Sequence, residues 1–131
     1  MKKLLLSAII LFIALTSFSQ SEKFTQAMKK NLGAMDSSFK NPADLLKLAN
    51  SFERIASAEK NQWLAFYYAA FCQVNVGFME QDKSKVDAIA DKAASLIATA
   101  DSLAPNNSEA SMLLLLSAPY SCHLVIGSTI M

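Results

Sequence analysis

The sequence contains few of the residues that turn a chain or cross-link it. Its 131 residues include only three glycines, three prolines and two cysteines. β-Sandwiches and β-barrels need turn residues at frequent intervals, and disulfide scaffolds need several cysteine pairs. The composition therefore argues against all of these classes. The length fits one domain.

Clusters of positive charge are also missing. Twelve lysine and arginine residues stand against eleven aspartate and glutamate residues, and no run of four or more basic residues occurs. A protein that binds nucleic acid neutralises the backbone phosphates with clustered lysine and arginine. The sequence therefore predicts no nucleic-acid partner.

Residues for catalysis or metal binding do not form a recognisable group. The single histidine, His123, follows Cys122, but adjacent residues do not face each other on a helix and a metal site needs three or four ligands. Acidic residues between Glu80 and Asp91 alternate with lysines, which indicates a solvated face. No glycine-rich phosphate loop, G-x-S-x-G elbow or C-x-x-C pair is present. The sequence therefore predicts no enzymatic activity, no cofactor and no metal site.

The first 19 residues have the layout of an export signal. Two lysines near the start precede an apolar run of about a dozen residues, and the small Ser17 and Ser19 stand before Gln20. We expect a signal peptide over residues 1–19, cut between Ser19 and Gln20, and a periplasmic or secreted protein. A retained membrane anchor is the alternative, but the run is shorter than the ~20 residues that span a bilayer.

Apolar residues recur every three to four positions through most of the remaining chain, which predicts an all-α fold. The segment from Gln62 to Met79 is apolar nearly all round, so we expect it to be the most buried helix. A buried strand is the alternative there, although the length and the interleaved alanines favour a helix. The predicted helices cover residues 22–38, 42–58, 62–79 and 85–103, and Asn106, Asn107 and Ser108 open a further one.

Several residues mark the expected ends of these helices. Asn41 is suited to cap a helix that has Pro42 in its first position. Gly77 is expected where the third helix frays, and Ser84 with Asp87 three residues later is similar to a capping box. The joints are short, so consecutive helices should lie antiparallel as hairpins.

A spaced pattern of small and large residues precedes Pro105. It reads Ala93-x3-Ile97-x2-Ala100-x4-Pro105, which resembles the second half of a tetratricopeptide (TPR) repeat. In that family the small residues fit against the preceding helix and the large residue fills the core of the hairpin. The proline then turns the chain into the next repeat.

The resemblance extends beyond this pattern. Trp63 and the pair Tyr67-Tyr68 resemble the aromatic signature of the first TPR helix, although the helices between residues 61 and 103 exceed the 34-residue repeat. Residues 22–110 as a whole are similar to small exported bacterial TPR-like proteins of unknown function. The resemblance implies a short solenoid of antiparallel helical hairpins, a role in protein interaction and no catalytic residues.

Trp63 and Tyr67 are the candidate partner-binding residues. They lie four residues apart, hence on one helical face, and we expect them to be exposed on the concave side along which solenoids bind. An aromatic run at helical spacing more often belongs to the core, so only part of it is expected to face a groove. On the neighbouring face, Cys72 is interpreted as a small buried hydrophobe, with a disulfide to Cys122 as the alternative in an oxidising compartment.

The end of the sequence differs in character from residues 20–109, which we take as the TPR-like domain. Residues 110–131 contain no charged residue. Because a solenoid avoids an apolar stripe that no further repeat covers, we expect this tail to be truncated or frame-shifted and to promote self-association. A membrane-seeking hairpin is the alternative, although Pro119 interrupts a run that is too short to span a bilayer.

Together these features predict an exported, non-enzymatic TPR-like module that binds a protein or a peptide. One alternative is a truncated repeat-protein remnant without independent function. Another is a helical protein that binds a small molecule.

Overall fold

The computed structural model describes residues 22–109 together with residue 113. Within these residues every regular element is an α-helix, which confirms the predicted all-α class. Residues 1–19, for which a signal peptide is predicted, lie outside the described residues, as do Cys122, His123 and the rest of the apolar tail, so the predictions made for them stay predictions. The helices are α1 over residues 22–33, α2 Met35–Ser38, α3 Pro42–Ala58, α4 Trp63–Met79 and α5 Lys83–Leu103.

The first predicted helix is interrupted, so the prediction of one helix over residues 22–38 is wrong. The chain turns at Ala34, directly after Gly33, and α2 follows. The hydroxyls of Ser37 and Ser38 both donate to the Ala34 carbonyl oxygen, at 2.9 and 2.8 Å. Glycine is a poor helix former, and serine hydroxyls compete for backbone carbonyls. At the break the Ala34 backbone N–H donates to the Asn31 carbonyl oxygen at 3.1 Å, a tighter i−3 bond that directly follows the poor helix former Gly33.

Helix α3 begins at the predicted residues. The Asn41 side chain accepts a hydrogen bond from the Ala43 backbone N–H at 2.9 Å, and Pro42 takes the first helical position. Asp44 in the first turn forms an ion pair with Lys47 at 3.0 Å. The capping signal in the sequence is therefore confirmed.

The start of α5 differs from the prediction, because Asp82 rather than Ser84 caps the helix. The Asp82 carboxylate accepts hydrogen bonds from the Ser84 backbone N–H at 3.0 Å and from the Ser84 hydroxyl at 2.6 Å. These bonds lower the pKa of Asp82. A carboxylate is a stronger acceptor than a hydroxyl, so the aspartate sets the helix start at Lys83.

Helix α4 packs against α3 and against α5. Burial on two sides explains why its sequence is apolar nearly all round, as predicted. Among the described helices, none is long and apolar enough to cross a membrane. The buried α4 residues in the core shared with α3 are Ala65, Ala69, Cys72 and Val76, and those in the core shared with α5 are Ala70 and Val74.

Helices α4 and α5 run antiparallel and approach closely. A Cβ atom on Gly77, near the end of α4, would lie 3.4 Å from the side chain of Ile89, near the start of α5. Gly77 is buried and α4 continues to Met79, so the glycine lies within the helix, at van der Waals distance from α5, rather than at the predicted frayed end. The Ala93, Ile97 and Ala100 stripe of α5 is buried, as its spacing predicts.

A polar contact joins three helices; we term it the Glu53 junction. Oε1 of Glu53 on α3 accepts a hydrogen bond from the buried Gln73 side chain of α4 at 3.2 Å. The same oxygen pairs with Nζ of Lys92 on α5 at 2.8 Å. One carboxylate therefore satisfies the buried amide and connects α3 with α5 across α4.

Candidate functional site

Three aromatic side chains follow one another along α4, and we term Trp63, Tyr67 and Phe71 the aromatic strip. The Trp63 and Tyr67 rings meet edge to face, with centroids 6.0 Å apart. The Tyr67 and Phe71 rings stack, with centroids 6.4 Å apart. Spacings of four residues place all three rings on one side of the helix. The structure thus brings both candidate partner-binding residues into one surface and adds Phe71 to them.

Two other parts of the chain border the aromatic strip. Phe39, in the turn before α3, meets Phe71 edge to face with centroids 6.0 Å apart. After α5, Leu113 is 2 % exposed and belongs to the core cluster on which Tyr67 and Phe71 pack. Burial and the nearby Glu109 carboxylate raise the pKa of Tyr67. The strip therefore lies between segments that come before and after the α3–α5 unit.

Exposure of the strip is partial. Trp63 and Tyr67 are half-buried rather than exposed, which corrects the sequence expectation. The reason is that Tyr67 contacts rings on several sides, including the adjacent Tyr68 with centroids 5.2 Å apart. The rings are held by their neighbours, yet part of each remains accessible to solvent.

The turn after Pro105 returns the chain towards α4. Asn106 has a φ of 68°, a left-handed conformation that asparagine tolerates better than most residues. The Asn107 side chain accepts a hydrogen bond from the Glu109 backbone N–H at 3.0 Å, and residues 108–109 are helical. A helix therefore opens where the sequence predicts one.

Tyr68 and Cys72 occupy the α3 side of the helix. Tyr68 stacks on Phe52 with ring centroids 5.5 Å apart. Cys72 is buried, as predicted, and burial raises the pKa of its thiol to about 12. The thiol is therefore protonated at neutral pH and unsuited to act as a nucleophile. Pairing with Cys122 stays a prediction, because Cys122 lies outside the described residues.

A second surface lies between α1 and α3, and we term it the α1–α3 groove. At its centre Asn31 Nδ2 donates to Ser51 Oγ at 2.9 Å, and Ser51 Oγ donates to Asn31 Oδ1 at 3.1 Å. A shallow recess of about 400 Å³ lies beside this pair. The recess is lined by Ala27, Lys30, Asn31, Ser51, Arg54, Ile55 and Ala58.

Of the basic side chains around the Asn31–Ser51 pair, one forms an ion pair with a carboxylate of the described residues and two do not. A second recess, of about 380 Å³, also borders the Asn31–Ser51 pair. Its lining includes Lys47, which forms an ion pair with Asp44. Lys30 and Arg54 in the first recess form no ion pair with a carboxylate in the described part of the chain. The α1–α3 groove therefore carries uncompensated positive charge.

Sequence reasoning missed this groove because its two sides are far apart in the chain. Asn31 and Ser51 are separated by 20 positions, and nothing local in either helix indicates that they meet. Lys30 and Arg54 are single basic residues on helices that also carry acidic residues, a pattern typical of an ordinary solvated face. Within the described residues, no group of three or more histidine, cysteine, aspartate or glutamate side chains is arranged to hold a metal ion.

In comparisons with known proteins, no family model, no curated protein and no solved structure matches this chain.

Proposed function

We propose that this chain is an exported, non-enzymatic interaction module of the TPR-like type, which binds a protein or peptide segment along the aromatic strip. The observation that carries the proposal is the ring-to-ring contact of Trp63, Tyr67 and Phe71 in a half-buried position. Tryptophan and tyrosine supply large contact areas and dominate the binding energy of many interfaces. Rings already held by their neighbours lose little side-chain entropy on binding.

The dimensions and charge of the strip suggest the kind of segment that fits it. Eight helical steps separate Trp63 from Phe71, which corresponds to ~12 Å of helix and to about four residues of extended peptide. Glu109 adds a negative charge beside Tyr67. A short apolar or aromatic segment flanked by lysine or arginine therefore matches the surface.

The packing of α5 supports the TPR-like part of the proposal. Ala93 and Ile97 are buried in one cluster with Ala70 and Val74 of α4, and Leu113, from the segment that follows Pro105, belongs to the same cluster. The small Ala93 thus packs against the preceding helix α4, and the large Ile97 lies in the same core. This is the role that the resemblance implies for the small and large positions of the pattern.

The state of Cys72 supports the non-enzymatic part of the proposal. Among the described residues it is the side chain with the strongest intrinsic nucleophilicity, and its thiol is buried and protonated at neutral pH. A covalent mechanism through Cys72 would require both exposure and a lower pKa.

Trp63 provides a direct test, because it is the only tryptophan of the chain. Envelope proteins retained by the immobilised wild type are compared with those retained by Trp63→Ala and Tyr67→Ala. A retained protein is then purified and titrated into the wild type while Trp63 emission is recorded. We expect the emission to shift to shorter wavelength and Tyr67→Ala to weaken binding about tenfold or more.

Phe78→Ala is the matched control for this experiment. Phe78 is an aromatic residue of the same helix, 55 % exposed, and lies outside the aromatic strip. Its truncation should leave both retention and affinity unchanged. Retention of no protein, equal losses in Phe78→Ala and Tyr67→Ala, or an unchanged Trp63 emission at saturation would each contradict the proposal.

A further inference from the structure

We infer that the α1–α3 groove binds the outer face of α5 of a second copy of this chain, so that copies join head to tail. The inference goes beyond the proposed function, since neither surface includes the aromatic strip. It depends on Lys30 and Arg54 in the groove and on Asp87 and Asp91 on α5.

The α1–α3 groove combines two positively charged side chains with a small apolar surface. Lys30 and Arg54 are exposed and have no carboxylate partner among residues 22–109. The lining also includes the half-buried Ala27 and Ile55, which are apolar. A recess of about 400 Å³ with this lining fits a narrow ridge that carries negative charge.

The outer face of α5 is such a ridge. Asp87 and Asp91 lie one turn apart, both exposed, and no described residue forms an ion pair with either. The other exposed residues at this helical spacing are small, which allows another surface to approach the helix closely. The α5 ridge consists of Ser84, Asp87, Ala88, Asp91, Ser95 and Ala98.

The lysines beside the ridge do not neutralise it. Lys92 pairs with Glu53 at 2.8 Å, and Lys85 pairs with Asp82 at 3.8 Å. Lys83 is one turn before Asp87 but forms no ion pair with it. The carboxylates of the ridge therefore keep their charge available for a partner.

The charge of the two halves of the described chain agrees with this arrangement. Residues 22–60 carry seven basic and five acidic side chains, whereas residues 61–109 carry three basic and six acidic side chains. Opposite net charges steer the basic half of one copy towards the acidic half of another. Groove and ridge are different surfaces, so a contact between two copies uses the groove of one and the ridge of the other. The first copy keeps its ridge free and the second keeps its groove free, so further copies can add to form open chains.

Charge reversal on each surface tests the inference with purified protein. Sedimentation velocity over a range of concentrations measures self-association at about 20 mM and about 500 mM NaCl, and association should weaken at the higher salt. Lys30→Glu/Arg54→Glu and Asp87→Lys/Asp91→Lys should each lower the association constant more than about tenfold. An equimolar mixture of the two variants should restore it, because every groove then faces a ridge of opposite charge.

The matched control is Lys29→Glu/Lys60→Glu, which makes the same change in net charge at exposed residues outside the groove. It should associate as the wild type does. The inference is overturned if the wild type stays monomeric at low salt, if either reversed variant alone associates as strongly as the wild type, or if the control loses association equally. A mixture of the reversed variants that remains monomeric, with both folded by circular dichroism, also overturns it.

Discussion

Truncation of Ile97 to alanine tests the packing of α5 on its neighbours. Ile97 is 1 % exposed and belongs to the cluster formed with Ala70, Val74 and Leu113. Alanine and valine on rigid helices cannot move far enough to fill the space that three missing carbon atoms leave. The loss of buried surface together with the cavity should therefore lower the free energy of unfolding by about 3 kcal/mol.

The measurement is the midpoint of thermal unfolding, followed by circular dichroism. For a domain of about 100 residues, a loss of about 3 kcal/mol lowers the midpoint by roughly 15 °C. Leu103→Ala is the control, because Leu103 lies on the same helix but is 38 % exposed. Its truncation should cost less than about 1 kcal/mol. Equal losses in the two variants would refute the placement of Ile97 in the core.

Two further predictions follow from the titratable groups. The pKa of Asp82 lies below its ordinary value of 3.8, so its contribution to stability is complete above that pH and is lost as the pH falls through the lowered pKa. The urea midpoint of Asp82→Asn should therefore fall less than that of the wild type between about pH 5 and pH 2, and parallel curves would contradict the capping role. Cys72, tested in a Cys122→Ser variant, should react with iodoacetamide far more slowly in the folded protein than in urea, because its thiol is buried and has a pKa of about 12. Equal alkylation rates, measured by mass spectrometry, would contradict this burial.

Local signals in the sequence predicted the helices from α3 onwards. The pair Asn41-Pro42 sets the start of α3, and the stripe through Ile97 predicted the buried side of α5. These predictions succeeded because capping and helical periodicity depend on residues only a few positions apart. The same reasoning failed at Ala34, where the backbone tightens to an i−3 bond after Gly33, and at Ser84, where the Asp82 carboxylate provides the cap instead.

The candidate sites were predictable only in part. Helical spacing put Trp63 and Tyr67 on one face, and the structure adds Phe71 to the same surface. Partial burial of these rings depends on segments distant in sequence, such as the one containing Leu113. Spacing within one helix contains no information on such contacts, nor on the meeting of α1 with α3.

The Glu53 junction restricts how α4 can slide between its neighbours. Several of the buried α4 residues are alanines, and a shift of one turn would move α4 by about 5.4 Å along its axis. Such a shift would separate Gln73 from Glu53 and leave a buried amide without a partner, at a cost of about 1–3 kcal/mol. The same shift would separate the stacked rings of Tyr68 and Phe52, so the amide and the ring pair together select one alignment of α4 with α3.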